Sequence, residues 1–282
     1  MKILVTGGCG FIGYALSKKL LEEGNEVDII DNLSIGFEAK NPKEIGAHFL
    51  GGDVRAMENI PDKQYDWIFH LAAFSRLELS YQHRNLTFSV NVDGTKQVLE
   101  YALRNKSKIV FVSSSSVHHS ISPYSSSKRI GEELCNFYRD GMGLDVTIVR
   151  LYNVYGPGEL VDSHMAAVIG KWRRNIREGK EIEITMRGLS YRAFTYIDDV
   201  VDGLVKLSKT DLINHSGWEM GNNIVYSIDQ LYEMFKEKYP DLKVKYIDSV
   251  KGNYRIATRK DNDVERLNWY PRDILKEYIK TI

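Results

Sequence analysis

The sequence predicts an α/β fold, a doubly wound parallel sheet with a smaller C-terminal lobe. Three observations carry this. A buried-strand pattern, Ile3-Leu4-Val5, runs directly into the glycine turn Gly7-Gly8-Cys9-Gly10-Phe11-Ile12-Gly13. Short apolar strands then alternate with segments of helical period, which implies parallel pairing through crossover helices. Past Tyr155-Gly156-Pro157-Gly158 the alternation loosens.

The first helix follows from Phe11, Ile12, Ala15, Leu16, Leu20 and Leu21 at helical spacing, and Gly24-Asn25 ends it before a strand over 27–30. Strand, glycine turn, helix and strand in this order suit a dinucleotide. Gly7 permits the tight turn, Gly10 lets the backbone approach a pyrophosphate, and Gly13 allows close helix packing, with the phosphates on the helix N-terminus. Asp31 closes the second strand, where a carboxylate accepts hydrogen bonds from ribose hydroxyls and repels a 2′-phosphate. The expected cofactor is therefore NAD rather than NADP.

Further strands are expected over 47–50, 67–70, 109–112 and 146–151, and helices over 85–104 and 124–139. In the second part the pattern predicts helices over 166–177 and 228–239, the latter with Ser227 and Gln230 as a capping box. A strand over 192–197 is expected to return to the first part. The division is thus 1–157 for nucleotide binding and 158–282 for a substrate lobe, with 192–210 crossing back and a cleft between the two. The sequence has no internal repeat, low-complexity tract or long linker.

Composition narrows the function. Lys+Arg and Asp+Glu are both 38 in 282 residues, so no basic field argues for nucleic acid. Cys9 and Cys135 give neither a metal spacing nor a disulfide framework, and His118-His119 reads as a solvated turn, so no metal is expected. The N-terminal apolar run is too short for a signal core or membrane span. A cytoplasmic protein without membrane partners is expected.

Tyr124 and Lys128 stand four apart, on one face of a helix. Beside a nicotinamide ring, the ammonium would favour the phenolate and lower the tyrosine pKa, making it a base near neutral pH. With Ser114 ten residues earlier, the set describes hydride chemistry at a carbinol carbon.

In order along the chain come GGCGFIG, DNL at 31–33, GDV at 52–54, HLAA at 70–73, NVDGT at 91–95, SSSSV at 113–117, YSSSK at 124–128, RLYNVYGPG from Arg150 and RAFTYIDDVV from Arg192. Over nearly its whole length the sequence thus resembles the extended short-chain dehydrogenase/reductase family, and within it the nucleotide-sugar 4-epimerases. The resemblance implies a Rossmann domain that holds NAD through Gly7, Gly10, Phe11, Ile12, Gly13, Asp31 and Asn32. It implies adenine contacts from Asp53 and Val54, and a nicotinamide wall of Leu71, Ala72, Ala73 and Ser75. Asn91 supports the catalytic region, where Ser114, Tyr124 and Lys128 act, Lys128 also on the nicotinamide ribose. Ser114 and Ser115 face the sugar, and Asn153 and Arg192 hold the diphosphate. A homodimer through the helices at 85–104 and 124–139 is also implied.

Related dehydratases and decarboxylases carry an acid two places after the catalytic hydroxyl, where this chain has Ser115 and Ser116. The resemblance therefore implies a 4-epimerase acting on a UDP-hexose or its N-acetylated form. The alternatives are an NADH-dependent reductase or dehydratase on the same scaffold and a non-catalytic NAD-binding protein. Three departures stand out. The 118–123 connection is too short to cover a sugar; Thr185 stands where relatives place an aromatic against uracil; and Lys251 is the only candidate for a basic residue near Gly252.

Overall fold

Seven strands, numbered in chain order, pair into one parallel sheet: β1 (Lys2–Thr6), β2 (Glu26–Ile30), β3 (His48–Phe49), β4 (Trp67–His70), β5 (Lys108–Ser114), β6 (Val146–Leu151) and β11 (Trp218–Met220). They stand in the order β11-β6-β5-β4-β1-β2-β3 in the computed structural model, which describes residues 1–119, 121–185, 188–249 and 252–282. From β1 the chain builds outward through β2 and β3, then returns to the other side of β1 with β4. The order reverses there, which opens a crevice at the carboxyl ends of β1 and β4.

Period-2 alternation sorts the sheet's side chains into two cores. Ile3 and Val5 pack with Leu16 and Leu20 of α1 (Phe11–Glu22) and with Val200 and Leu204 of α7 (Ile197–Leu207). Leu4 points to the opposite face. There it joins Val98 and Leu99 of α4 (Gly94–Arg104) and Cys135 and Tyr138 of α5 (Pro123–Met142).

A third core holds the second lobe together. Trp172 of α6 (Val168–Arg177), Ile182 and Ile184 of β8 (Ile182–Thr185), Phe235 of α8 (Ile228–Lys238) and Ile279 of α9 (Leu275–Thr281) meet there. The capping box forms at the start of α8, with Gln230 N on Ser227 Oγ at 3.0 Å and Ser227 N on Gln230 Oε1 at 2.8 Å. β13 (Val244–Ile247) pairs with β8, and β9 (Tyr191–Ala193) lies between β12 (Val225–Ser227) and β14 (Ile256–Ala257).

Two expected elements differ. The single strand over 192–197 is instead β9, a break at Phe194, and β10 (Thr195–Tyr196), which pairs with β7 (Val154–Tyr155), while Ile197 already opens α7. The segment switches partners because Phe194 packs into the second lobe and Ile197 into the first. The crossing also extends past residue 210, since β11 forms the sheet's edge and Trp269 joins the first core. The helix over 85–104 is interrupted: α2 (Leu77–Gln82) and α3 (Arg84–Phe88) precede a π-helical turn, Ser89–Asp93, that leads into α4.

Arg150 of β6 ties three elements beneath the crevice. Its guanidinium forks onto Glu132 of α5 at 2.8 and 2.6 Å and reaches Glu219 of β11 at 2.8 Å. Ser113 donates to Glu132, and Tyr152 to Glu219, whose Oε1 also meets His118 Nε2 at 2.7 Å. Burial alone would raise Glu219, but hydrogen bonds from His118, Tyr152 and Arg150 outweigh it and hold the carboxyl below its ordinary range. Arg150→Met should cost about 3–5 kcal/mol by leaving buried carboxylates unpaired. Urea denaturation at neutral pH checks this. In the parent, the stabilisation from Glu219 should be full above the ordinary glutamate range and fade as the pH falls through its depressed value.

Candidate active site

A cleft of about 1270 Å³ opens at the crevice and runs between the sheet and the second lobe. Gly7 turns the chain there at φ +73°, and a Cβ on it would stand 2.7 Å from Ala72 N. A Cβ on Gly13 would stand 2.2 Å from Gly7 O, so α1 begins in contact with the turn. Gly10 caps α1 without a side chain and the first turn has no acidic residue, while Phe11, Ile12 and Gly13 line the cleft. Free N–H groups and the positive end of the helix dipole thus face the cleft, a fit for a pyrophosphate.

Asp31 lies over this turn and accepts from Cys9 N at 3.0 Å and Leu33 N at 2.8 Å. Burial raises its pKa, and those two hydrogen bonds offset part of the rise. Asn32 donates to Asp53 at 2.8 Å, and Arg55 forks onto the same carboxylate at 2.9 and 2.7 Å, holding it well below the usual range. Val54 lines the cleft beside them, and Leu71, Ala72, Ala73 and Ser75 line it past β4. Glu38 crosses to the second lobe, accepting from Val161 N at 2.8 Å and from Ser163 N.

The chemistry gathers where β5 ends. Ser114 Oγ donates to Ser116 Oγ at 3.0 Å and accepts from Ser116 N at 3.2 Å, and Ser114 and Tyr124 both line the cleft. Ser122 caps α5, accepting from Ser125 N at 3.0 Å, and Ser80 accepts from Tyr124 N at 3.2 Å. Just before Ser122, the Ile121 side chain is 86% exposed while its carbonyl accepts from the Tyr81 hydroxyl of α2 at 2.7 Å.

The expected lowering of Tyr124 by Lys128 is not what the structure shows. Burial pushes the Tyr124 phenol above its ordinary range, and the Ser114 hydrogen bond and the charge of Arg76 offset only part of the rise. Lys128 is buried, donates to Val112 O at 2.8 Å, and lies 4.9 Å over the Phe111 ring. Burial brings its pKa down to about 8, so its charge is weakened and directed at β5.

Asn91 sits in the π-helical turn, a distortion often found at functional sites. It holds Phe74 at both backbone atoms, N to Oδ1 at 2.8 Å and O to Nδ2 at 3.1 Å, and donates to Ser127 Oγ at 2.9 Å. The loop after β4 is thereby fixed to the first turn of α5. Behind it, Thr95 donates to Asn91 O, His70 Nε2 meets Thr95 Oγ1 at 3.0 Å, and Thr6 Oγ1 meets His70 Nδ1 at 2.7 Å. Burial pushes His70 down to about 3, so it is a neutral relay in this chain of bonds.

Toward the second lobe, Ser115 and Asn153 line the cleft, and Asn153 takes φ +25° while donating to Ala193 O at 3.0 Å. Arg192 lines it too, but it lies 4.3 Å from the Tyr254 ring and donates to Tyr191 O at 2.9 Å and Tyr254 O at 2.8 Å. Tyr254 also stacks on His119 at 5.8 Å. Thr185 accepts from Asn253 Nδ2 at 2.9 Å, and Lys251 lies outside the described residues. None of the described residues over 117–123 lines the cleft.

Sequence reading missed Arg76 and Glu159, both in the cleft wall. Arg76 follows HLAA by three places and Glu159 follows the glycines of RLYNVYGPG, but neither belongs to a motif. Glu159 accepts from Tyr278 at 3.0 Å and lies 3.5 Å from Arg173; burial still pushes it up to about 7.

A parallel sheet with a dinucleotide turn at its switch point, beside a serine, tyrosine and lysine under a second lobe, defines a short-chain dehydrogenase-type enzyme. The chain belongs to the NAD dependent epimerase/dehydratase family, whose model matches residues 3–217, and its cofactor is NAD. It is 32% identical to UDP-N-acetyl-alpha-D-glucosaminuronate decarboxylase of Bacillus cytotoxicus, over 72% of this chain and 70% of the relative. It is 29% identical to UDP-glucuronate 4-epimerase of Thermodesulfobacterium geofontis, over 98% and 93%. The crystal structure of UDP-glucose 4-epimerase from Thermotoga maritima with UDP-glucose superposes with a TM-score of 0.90 at 28% identity, covering 99% of this chain and 96% of that one. The two relatives named are thus a decarboxylase and a 4-epimerase of UDP-sugars. No helix among the described residues is long and apolar enough to cross a membrane.

Asp31→Ala should weaken NAD about tenfold or more, since hydrogen bonds to a charged group contribute about 1.5–3 kcal/mol, and should narrow the preference over NADP. Fluorescence titration with both dinucleotides measures this; equal affinities in the parent would remove Asp31 from the cofactor site.

Proposed function

We propose that the protein is an NAD-dependent nucleotide-sugar 4-epimerase acting on a UDP-hexose or its N-acetylated form. The observation that carries this reading is the end of β5, where Ser114 is followed by Ser115 and Ser116 and no acid stands beside the catalytic hydroxyl. NAD, when bound, supplies reversible hydride acceptance. Tyr124, with Ser114, takes the proton of the sugar's 4-hydroxyl and returns it after the 4-keto sugar has turned in the cleft. Lys128 binds the nicotinamide ribose, Asn91 keeps the nicotinamide wall and the catalytic helix in register, and Asn153 and Arg192 hold the diphosphate. For Arg192 this requires exchanging part of its present carbonyl contacts for the phosphate.

A second reading, a dehydratase or reductase on this scaffold, rests on Glu159. A carboxyl that titrates near pH 7 in the cleft can give or take a proton in an elimination.

Incubation with UDP-, dTDP- and GDP-sugars, with chromatography and mass analysis of the products, separates the readings. Epimerisation leaves the mass unchanged without added dinucleotide, elimination lowers it by one water, and a reductase consumes added NADH. Tyr124→Phe should reduce turnover about a hundredfold or more while NAD stays bound, and turnover within a few-fold of the parent would overturn its role. Because the described residues over 118–123 stay clear of the cleft, plain and N-acetylated UDP-hexoses should differ in kcat/KM by less than about a thousandfold, roughly 4 kcal/mol.

We also propose a homodimer through α3–α5, which carry Leu86, Ile130 and Phe137 at 40%, 41% and 59% exposure. Light scattering at micromolar concentration should show twice the 32.4 kDa chain mass, and a monomer alone would contradict it.

A further inference from the structure

We propose that Glu38 latches the second lobe over the bound dinucleotide, so that NAD leaves only when this bridge opens. The inference rests on the assignment of the cofactor cleft and holds whichever sugar is turned over. Residues 31–40, between β2 and β3, begin and end on the glycine turn: Asp31 accepts from Cys9 N at 3.0 Å, and Lys40 N donates to Cys9 O at 2.8 Å. Between these anchors the Glu38 carboxylate takes one second-lobe N–H on each oxygen, Val161 N on Oε1 at 2.8 Å and Ser163 N on Oε2. Ser163 is buried, so its amide would lose a partner if the carboxylate were removed.

Further contacts grip the same stretch. Ile35 packs with Leu160, Met165 and Ala166, and Leu79 of α2 joins this small apolar cluster. Arg76 Nε donates to Met165 O. Within the second lobe, Arg174 of α6 reaches Asp162 O at 3.3 Å and Ser163 O at 3.4 Å, and Arg177 pairs with Asp162, so 160–166 is fastened to α6. The stretch sets out from Gly158, where a Cβ would lie 3.9 Å from Phe11 Cδ2 at the start of α1. Ser34, Ile35, Leu160 and Met165 line the cleft, whereas Glu38, Val161 and Ser163 do not. The bridge thus closes the rim from outside the binding surface, joining the loop that carries Asp31 to the segment that passes the pyrophosphate turn. A closed rim keeps the reduced cofactor in place between taking a hydride from a sugar and giving it back.

The test loads the protein with fluorescent etheno-NAD and chases it with excess NAD, sugar absent. Glu38→Ala should raise the dissociation rate about tenfold or more, because both hydrogen bonds to a charged acceptor are lost and such losses appear mainly in the off-rate. Glu38→Gln, which keeps one acceptor oxygen, should fall between. Amide hydrogen exchange reads the bridge itself: NAD should slow exchange at Val161 and Ser163 in the parent, and much less in Glu38→Ala. A Glu38→Ala dissociation rate within about twofold of the parent overturns the proposal. So does faster dissociation with these two amides as protected as in the parent, which would place the effect in the Asp31 loop. Should the variants fail to fold, the parent decides, since exchange at Val161 and Ser163 that NAD leaves unchanged also overturns it. No sugar enters the chase, so failure of the 4-epimerase reading would leave its outcome standing.

Discussion

The site depends on how closely the backbone at the end of β1 approaches the backbone after β4. With no side chain on Gly7, the turn rests against Ala72, and with none on Gly13, α1 rests against the turn. From this contact a line of hydrogen bonds leads away from the cofactor end: Thr6 to His70, His70 to Thr95, Thr95 to Asn91, and Asn91 to Ser127 in the catalytic helix. Each member is buried, so losing one would leave a neighbour unsatisfied in a low-dielectric interior. The two ends of the cleft are therefore held in fixed relation by backbone fit and a neutral polar chain.

The catalytic end follows a different electrostatic logic. Arg76, Lys128 and Arg192 bring positive charge to a confined cleft, against which Glu159 is the main buried acid. At Tyr124, burial, which keeps its proton on, outweighs the Ser114 hydroxyl and the charge of Arg76, which help release it. Beneath the cleft, Arg150 is shared by Glu132 and Glu219, so its positive charge is taken up within that network. The first arrangement leaves charge free for chemistry; the second consumes it for stability.

Much of this was legible in the sequence. β4 and β6 match the expected strands at 67–70 and 146–151, and the Ser227–Gln230 box is present, because these are local patterns: short, largely apolar runs and a three-residue cap spacing. The elements that were misread depend on distant partners. Residues 192–197 look like one strand until Phe194 and Ile197 choose different cores, and β11 is too short to stand out without β6 beside it. The π-helical turn leaves helical periodicity almost intact, so nothing marks it in the sequence. The spacing of Tyr124 and Lys128 was read correctly, but where the ammonium points is decided by Val112 O and Phe111 from another strand. Arg76 and Glu159 meet in the cleft only through the fold.

The start of α5 is fixed by Ser122 at its cap, Ser80 at Tyr124 and Asn91 at Ser127, while the exposed Ile121 side chain takes no part and its carbonyl accepts from Tyr81 at 2.7 Å. Two of these three ties, those from Ser80 and Asn91, lie outside the connection that would wall off the sugar, so the helix keeps them whatever the length of that connection. Chain can be spliced in at Ile121 at the modest entropic cost of a longer surface loop, with the tyrosine left in position. Changes in this short connection can therefore reshape which sugars enter without rebuilding the machinery that acts on them, making it a point at which selectivity diversifies by insertion rather than by substitution.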